Sequence, residues 1–109
     1  AAKTIMKLPI PPDAIFSSTD YGLLGAVQYL NELSVKIPDD FCVVGFSNAP
    51  FTQFLETSIS SVDQSPVEMG KTAAKVFLEQ IENEQTVKIC KNVVLPAKLI
   101  VRKSSGKIN

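Results

Sequence analysis

The chain has no histidine among its 109 residues. Without one there is no Ser-His-Asp or Cys-His arrangement, and the commonest general base is missing. Neither GxGxxG nor the P-loop pattern occurs, so two familiar phosphate-binding devices are excluded. An excess of one charge is lacking too: 11 Lys+Arg balance 11 Asp+Glu, for a formal net charge of +0. A nucleic-acid module needs a basic face against phosphate, and this balance argues against one. Cysteine is scarce. Of the two residues, Cys42 lies in an apolar run and reads as a small core residue, while Cys90 sits in the polar stretch KICKN. No disulfide framework or metal-ligand spacing emerges, which fits a reducing compartment. The start, AAKTIMKLPIPP, has too short an apolar run for a signal peptide, and no segment approaches membrane-spanning length. The expectation is a cytoplasmic binding domain, with no cofactor, metal or membrane partner.

What the chain does have is apolar content, 45% of its residues. A chain of this size buries roughly 60–70% of its unfolded surface, enough for the core of one domain or part of one. Residues 1–8 read as the tail of a helix stopped by Pro9, Pro11 and Pro12. A strand is expected over 13–18, then an N-cap at Thr19-Asp20 and a helix to about Ser34. Its apolar residues Leu23, Ala26, Val27, Leu30 and Leu33 recur at three and four, marking one face. IPDD (37–40) is a turn leading into the apolar strand 41–46, with a helical turn over 50–56 and a strand over 58–62. Ser65-Pro66-Val67-Glu68 has the pattern of a capping box with proline at the first helical position. The helix it opens carries Met69, Ala73, Phe77 and Ile81 at spacing four and frays near Asn83. VVL (93–95) and LIV (99–101) are β-rich, and Pro96 between them interrupts pairing. Asp39-Asp40 and Glu82/Glu84 read as exposed turn charges, and Arg102, Lys103 and Lys107 as solvated charge on a tail. The alternation predicts an α/β domain with a mostly parallel sheet and flanking helices.

In open α/β sheets, ligands bind beyond the carboxyl ends of the strands. Two such ends can be read. Strand 13–18 runs into Thr19-Asp20, and strand 41–46 runs into Ser47-Asn48. Hydroxyl and amide groups at that edge suit a polyhydroxylated ligand. The same residue types also dominate caps and turns, so a purely local role stands beside the binding role.

Three stretches taken together carry a resemblance: PPDAIFSSTDYGLLGAVQYLNELSVKIPDDFCVVGFSN, SISSVDQSPVEMGKTAAKVFLEQIE and VVLPAKLIVRKSS. In order and spacing they resemble the lactose/galactose-repressor (LacI/GalR) family over about residues 10–105. The resemblance implies part of a type I periplasmic-binding-protein-like (Rossmann-like) fold, in which two lobes close on an effector. An N-terminal helix-turn-helix for operator DNA would lie outside this sequence. Family positions matching Thr19 and Ser47 usually carry Asn and Asp, Asn48 falls where a second Asp is common, and Asp20 keeps the usual residue. The resemblance thus implies Thr19, Asp20, Ser47, Asn48 and Gln64 as contacts for a small, carbohydrate-like effector. It implies a homodimer through Leu24, Phe54 and Leu55; on the helix wheel Leu24 lies off the apolar stripe. It also implies that residues 1–63 and 97–105 form one lobe while 64–96 cross into the other. Met69, Ala73, Phe77 and Ile81 would then lack a sheet of their own and would seek cover from a second copy, by swapping or side-by-side packing, the alternative being to fold back onto the first lobe's sheet within one chain. A transport-type periplasmic sugar-binding protein shares the fold and is the alternative.

Overall fold

The computed structural model describes residues 1–82 and 90–106. In chain order the elements are α1 (Ala2–Ile5), β1 (Ala14–Phe16), α2 (Asp20–Glu32), β2 (Cys42–Phe46), β3 (Ser60–Asp63), α3 (Pro66–Glu82) and β4 (Lys98–Ile100). Short 3-10 turns occupy Pro50–Gln53 and Lys103–Ser105. The strands form one sheet in the order β1-β2-β3-β4. β1, β2 and β3 run parallel, with Phe16 opposite Val44 and Phe46 opposite Val62. After β4 the chain runs antiparallel to β3: Arg102 N donates to Ser60 Oγ and Ser104 N to Ser58 O. The fold is α/β with a mostly parallel sheet and flanking helices.

α2 shows how local signals and packing agree. Thr19 has the extended backbone of an N-cap, and its hydroxyl accepts from Gly22 N at 3.0 Å, satisfying a donor that the helix itself cannot. Leu23 and Leu30 are buried against Phe41, Val43 and Ile59, with Ile15, Ala26 and Val27 packed around them. Each such side chain removed from water contributes roughly 1.5–3 kcal/mol. The helix stops earlier than the apolar pattern suggests. Ser34 takes φ 57°, its N–H bonds Asn31 O at 2.9 Å, and Val35 N bonds Leu30 O at 3.0 Å. That crossed pair is a Schellman closure made without glycine. Leu33 therefore falls outside the buried stripe and is exposed.

The chain divides into two compact units, residues 1–63 with the segment from Leu99, and residues 64–98. The second unit is built on α3. Pro66 takes the first helical position as the sequence implies, but Ser65 has φ 54° instead of the extended backbone of a capping box. Glu68 instead pairs with Lys71 at 3.2 Å on the surface. No residue of α3 is buried. Phe77 and Ile81 are each 61% exposed, and Met69, Val76 and Phe77 border an open groove of about 390 Å³ with Val93 and Leu95. Val93, Val94 and Leu95 form no strand; the β-rich composition there has no paired neighbour among the described residues. Cys42 is half-buried and Cys90 exposed. Asp39, Asp40 and Glu82 are exposed as anticipated, whereas Asn83, Glu84 and Lys107 lie outside the described residues.

Candidate functional site

The parallel pairing of β1 and β2 puts both of their carboxyl ends at one edge of the sheet. Ser17 N extends the ladder by bonding Val44 O, and Ser47 N does the same to Val62 O, each at 2.9 Å. Beyond those bonds the two turns begin. Ser17 Oγ donates to Thr19 O at 2.8 Å and fixes the first turn. In the second, Ser47 and Asn48 both take left-handed backbone, φ 110° and 49°. Such geometry is uncommon for serine and more often tolerated by asparagine. Thr19 and Ser47 are exposed and Asn48 is half-buried. Gln64, also half-buried, directly follows β3.

Asp20 behaves differently from the other expected contacts. It is 1% exposed, and both carboxylate oxygens are engaged inside the protein. Oδ2 accepts from Ala49 N at 2.7 Å and Oδ1 from Ser61 Oγ at 2.8 Å. Of the residues expected to touch an effector, Asp20 alone is buried, with each oxygen bonded inside the protein. Its bond to Ala49 does bring the start of α2 and the Ser47-Asn48 turn together.

Asn48 is clamped on both sides. Its Nδ2 donates to Asp63 Oδ2 and its Oδ1 accepts from Arg102 Nη2, each at 2.8 Å. A guanidinium only donates and a carboxylate only accepts, so these partners fix which way the amide faces. Arg102 was expected to be solvated charge, and that reading is corrected. Its side chain is half-buried. Nη1 donates to Ile59 O at 2.8 Å and Thr52 Oγ1 at 3.1 Å. Lys103 next to it is exposed as anticipated.

Sequence reasoning missed Gly45, Ser61 and Arg102 as parts of this edge. Ser61 carried a faint signal, as a buried-strand position filled by a small hydroxyl. Arg102 carried none, because its partners lie far away in the chain. Among the described residues, no group of three or more His, Cys, Asp or Glu is placed to hold a metal.

The dimer candidates lie elsewhere on the first unit. Leu24 and Leu55 are half-buried and border a surface groove of about 1030 Å³, together with Val27, Val35 and Ile37. Phe54, adjacent to Leu55, is 79% exposed.

The description of the periplasmic binding protein-like domain matches residues 1–105 of the chain. The chain belongs to that family. Among curated proteins it is similar to the transcriptional repressor CytR of Escherichia coli, 31% identical over 84 residues, covering 77% of this chain and 25% of CytR. It is also similar to a lactose operon repressor of Rhizobium radiobacter, 30% identical over 106 residues, covering 97% of this chain and 91% of that protein. The relatives are repressors of the LacI type, in agreement with the resemblance read from the sequence. Solved structures tell the same story. A protein of Actinobacillus succinogenes superposes with TM-score 0.86 at 33% identity, covering 95% of this chain and 37% of that one. A LacI-family regulator of Lactobacillus casei with bound glucose gives 0.78 at 27% identity, covering 95% and 37%. The chain thus spans only about a quarter to two fifths of CytR and of these two solved chains. In open α/β sheets, ligands bind beyond the carboxyl ends of the strands, the edge at which these polar turns lie.

Proposed function

We propose that this chain is the C-terminal part of the effector-binding region of a LacI-type transcriptional regulator, sensing a small carbohydrate-like molecule. Operator DNA would be bound by a helix-turn-helix segment not contained in this sequence. The observation that carries the reading is the convergence of two neutral polar turns, at Thr19 and at Ser47-Asn48, on one carboxyl edge of a parallel sheet. The Asp20–Ala49 bond ties them together. Hydroxyl and amide groups can match sugar hydroxyls as donor and acceptor, and the glucose-bound Lactobacillus casei regulator supports that ligand class. That the relatives are named repressors favours regulation over transport.

On this reading Thr19, Ser47, Asn48 and Gln64 contact the effector. Positions where the resembling family tends to carry carboxylates are neutral here, which trades charge-assisted acceptors for weaker hydroxyl and amide groups. Residues 64–96 would belong to the second lobe, supported by the uncovered apolar face of α3. A homodimer would form over Leu24, Leu55 and Phe54, supported by the apolar groove and the exposed phenyl ring beside it. The test is a calorimetric titration of the full-length regulator with glucose. Asn48→Ala should weaken binding by roughly 1–3 kcal/mol through the partners it leaves unpaired. Saturable binding unaffected by the substitution would remove Asn48 from the site.

A further inference from the structure

We infer that Asp20, acting together with Ser61, is a positioning residue that holds the Ser47-Asn48 turn in its left-handed conformation. The inference rests on reading that turn as part of the ligand site. Its physical basis is independent of any ligand. Two consecutive non-glycine residues at positive φ persist only where the surroundings over-determine them. Here three successive backbone N–H groups are anchored. Ser47 N bonds Val62 O at 2.9 Å, Asn48 N bonds Ser61 Oγ at 3.0 Å and Ala49 N bonds Asp20 Oδ2 at 2.7 Å. The Ser61 hydroxyl in turn donates a hydrogen bond to Asp20 Oδ1 at 2.8 Å. One carboxylate on α2 therefore terminates two of the three anchors, one directly and one through a hydroxyl.

Gly45 completes the arrangement. A Cβ built at this position would overlap Asp20 Oδ1 and crowd Leu23. The carboxylate fills the volume that any other residue in β2 would claim, which gives a reason for glycine inside an otherwise apolar strand. Asp20 and Ser61 are 1% and 0% exposed, so water does not compete for these bonds. Because Asp20 directly follows Thr19, the brace also holds the two polar turns in one mutual placement. Binding groups held in place before the ligand arrives lose less freedom on binding.

The experiment is amide hydrogen exchange, resolved by NMR, on the regulator and four variants. Asp20→Ala, Ser61→Ala and Gly45→Ala should each speed exchange at Asn48 and Ala49 by about 10–100-fold relative to Val44, since each frees the turn without removing the sheet ladder. Asp20→Asn keeps an oxygen for Ala49 N, and there Ala49 should stay close to its original rate. That graded response is one a merely structural loss would not produce. Acceleration spread evenly over β2 and the turn, or no change at Asn48 and Ala49, overturns the inference. Should Asp20→Ala fail to fold, the Ser61→Ala and Asp20→Asn comparison decides alone. A parallel glucose titration separates the two readings. If glucose binds, Asp20→Ala weakens it although Asp20 touches no ligand; equal affinity there overturns the positioning role. If the unsubstituted protein does not bind glucose, the carbohydrate reading fails while the exchange rates still judge the brace.

Discussion

Replacing Ser104 by alanine tests how the chain is fastened back onto its first unit after residues 64–98. The Ser104 side chain is 0% exposed. It accepts from Ser60 N at 2.8 Å and donates to Val43 O at 2.7 Å. Alanine deletes both partners at once and leaves a gap of one oxygen, below the roughly 10–15 Å³ that a water needs. Neither group is rehydrated. An unsatisfied buried polar group costs about 1–3 kcal/mol. The carbonyl has a second lone pair and suffers less than the single N–H, so the sum falls at about 2–4 kcal/mol. That is a large part of the 5–15 kcal/mol typical of a domain. Urea unfolding followed by circular dichroism should show the midpoint falling by about 1–2 M, given a slope of about 2 kcal/mol/M. Ser18→Ala, on an exposed turn, should stay within about 0.5 kcal/mol of the parent. A Ser104→Ala protein equally close to the parent would refute the reasoning.

The homodimer reading expects Leu24→Asp combined with Phe54→Asp to sediment as a monomer, and a persistent dimer would count against those contacts. The two-lobe reading expects Phe77→Ala to change the stability of residues 1–109 by less than about 0.5 kcal/mol, because the ring is already wet. In the full-length regulator, with α3 covered, the same change should cost about 3–5 kcal/mol, and equal small effects in both would refute it. The Lys91 ammonium, hydrogen-bonded at 3.0 Å, and its charge hold the Glu79 carboxyl below the ordinary 4.5. Lys91→Ala should let that value rise in an NMR titration. A depressed acid stabilises above its unfolded pKa and loses that contribution as pH falls through its folded pKa, so the substitution lowers stability at neutral pH and leaves it unchanged in strong acid. The exposure of both groups makes the effect small and sensitive to salt.

Much of the scaffold was legible because it depends on local rules. The three- and four-residue spacing of Leu23, Val27 and Leu30 marked the core face of α2, and Thr19 marked its cap. The apolar run 41–46 foretold the central strand. Element ends were less legible. The Schellman closure at Ser34 uses a residue that gives no warning of left-handed backbone, and Val93-Val94-Leu95 has strand composition but no paired strand among the described residues. At the candidate site, the placement of Thr19 and Ser47-Asn48 followed from the general position of ligands in parallel sheets. The identity of the residues holding them did not.

That gap has a physical cause. The bonds that shape the edge join residues 13, 29, 41 and 54 positions apart. Periodicity and capping patterns report on neighbours within a few residues, so they are blind to such contacts. Arg102 shows the cost. By composition it belongs to a basic tail, yet its guanidinium meets Ile59 O, Thr52 and Asn48 in the first unit. Asp20 shows the reverse: a familiar residue at a familiar position suggests contact with ligand, while in the fold its carboxylate is buried against Ala49 N and Ser61. Local chemistry names the groups that can face a ligand, and long-range hydrogen bonds decide which of them are left free to do so.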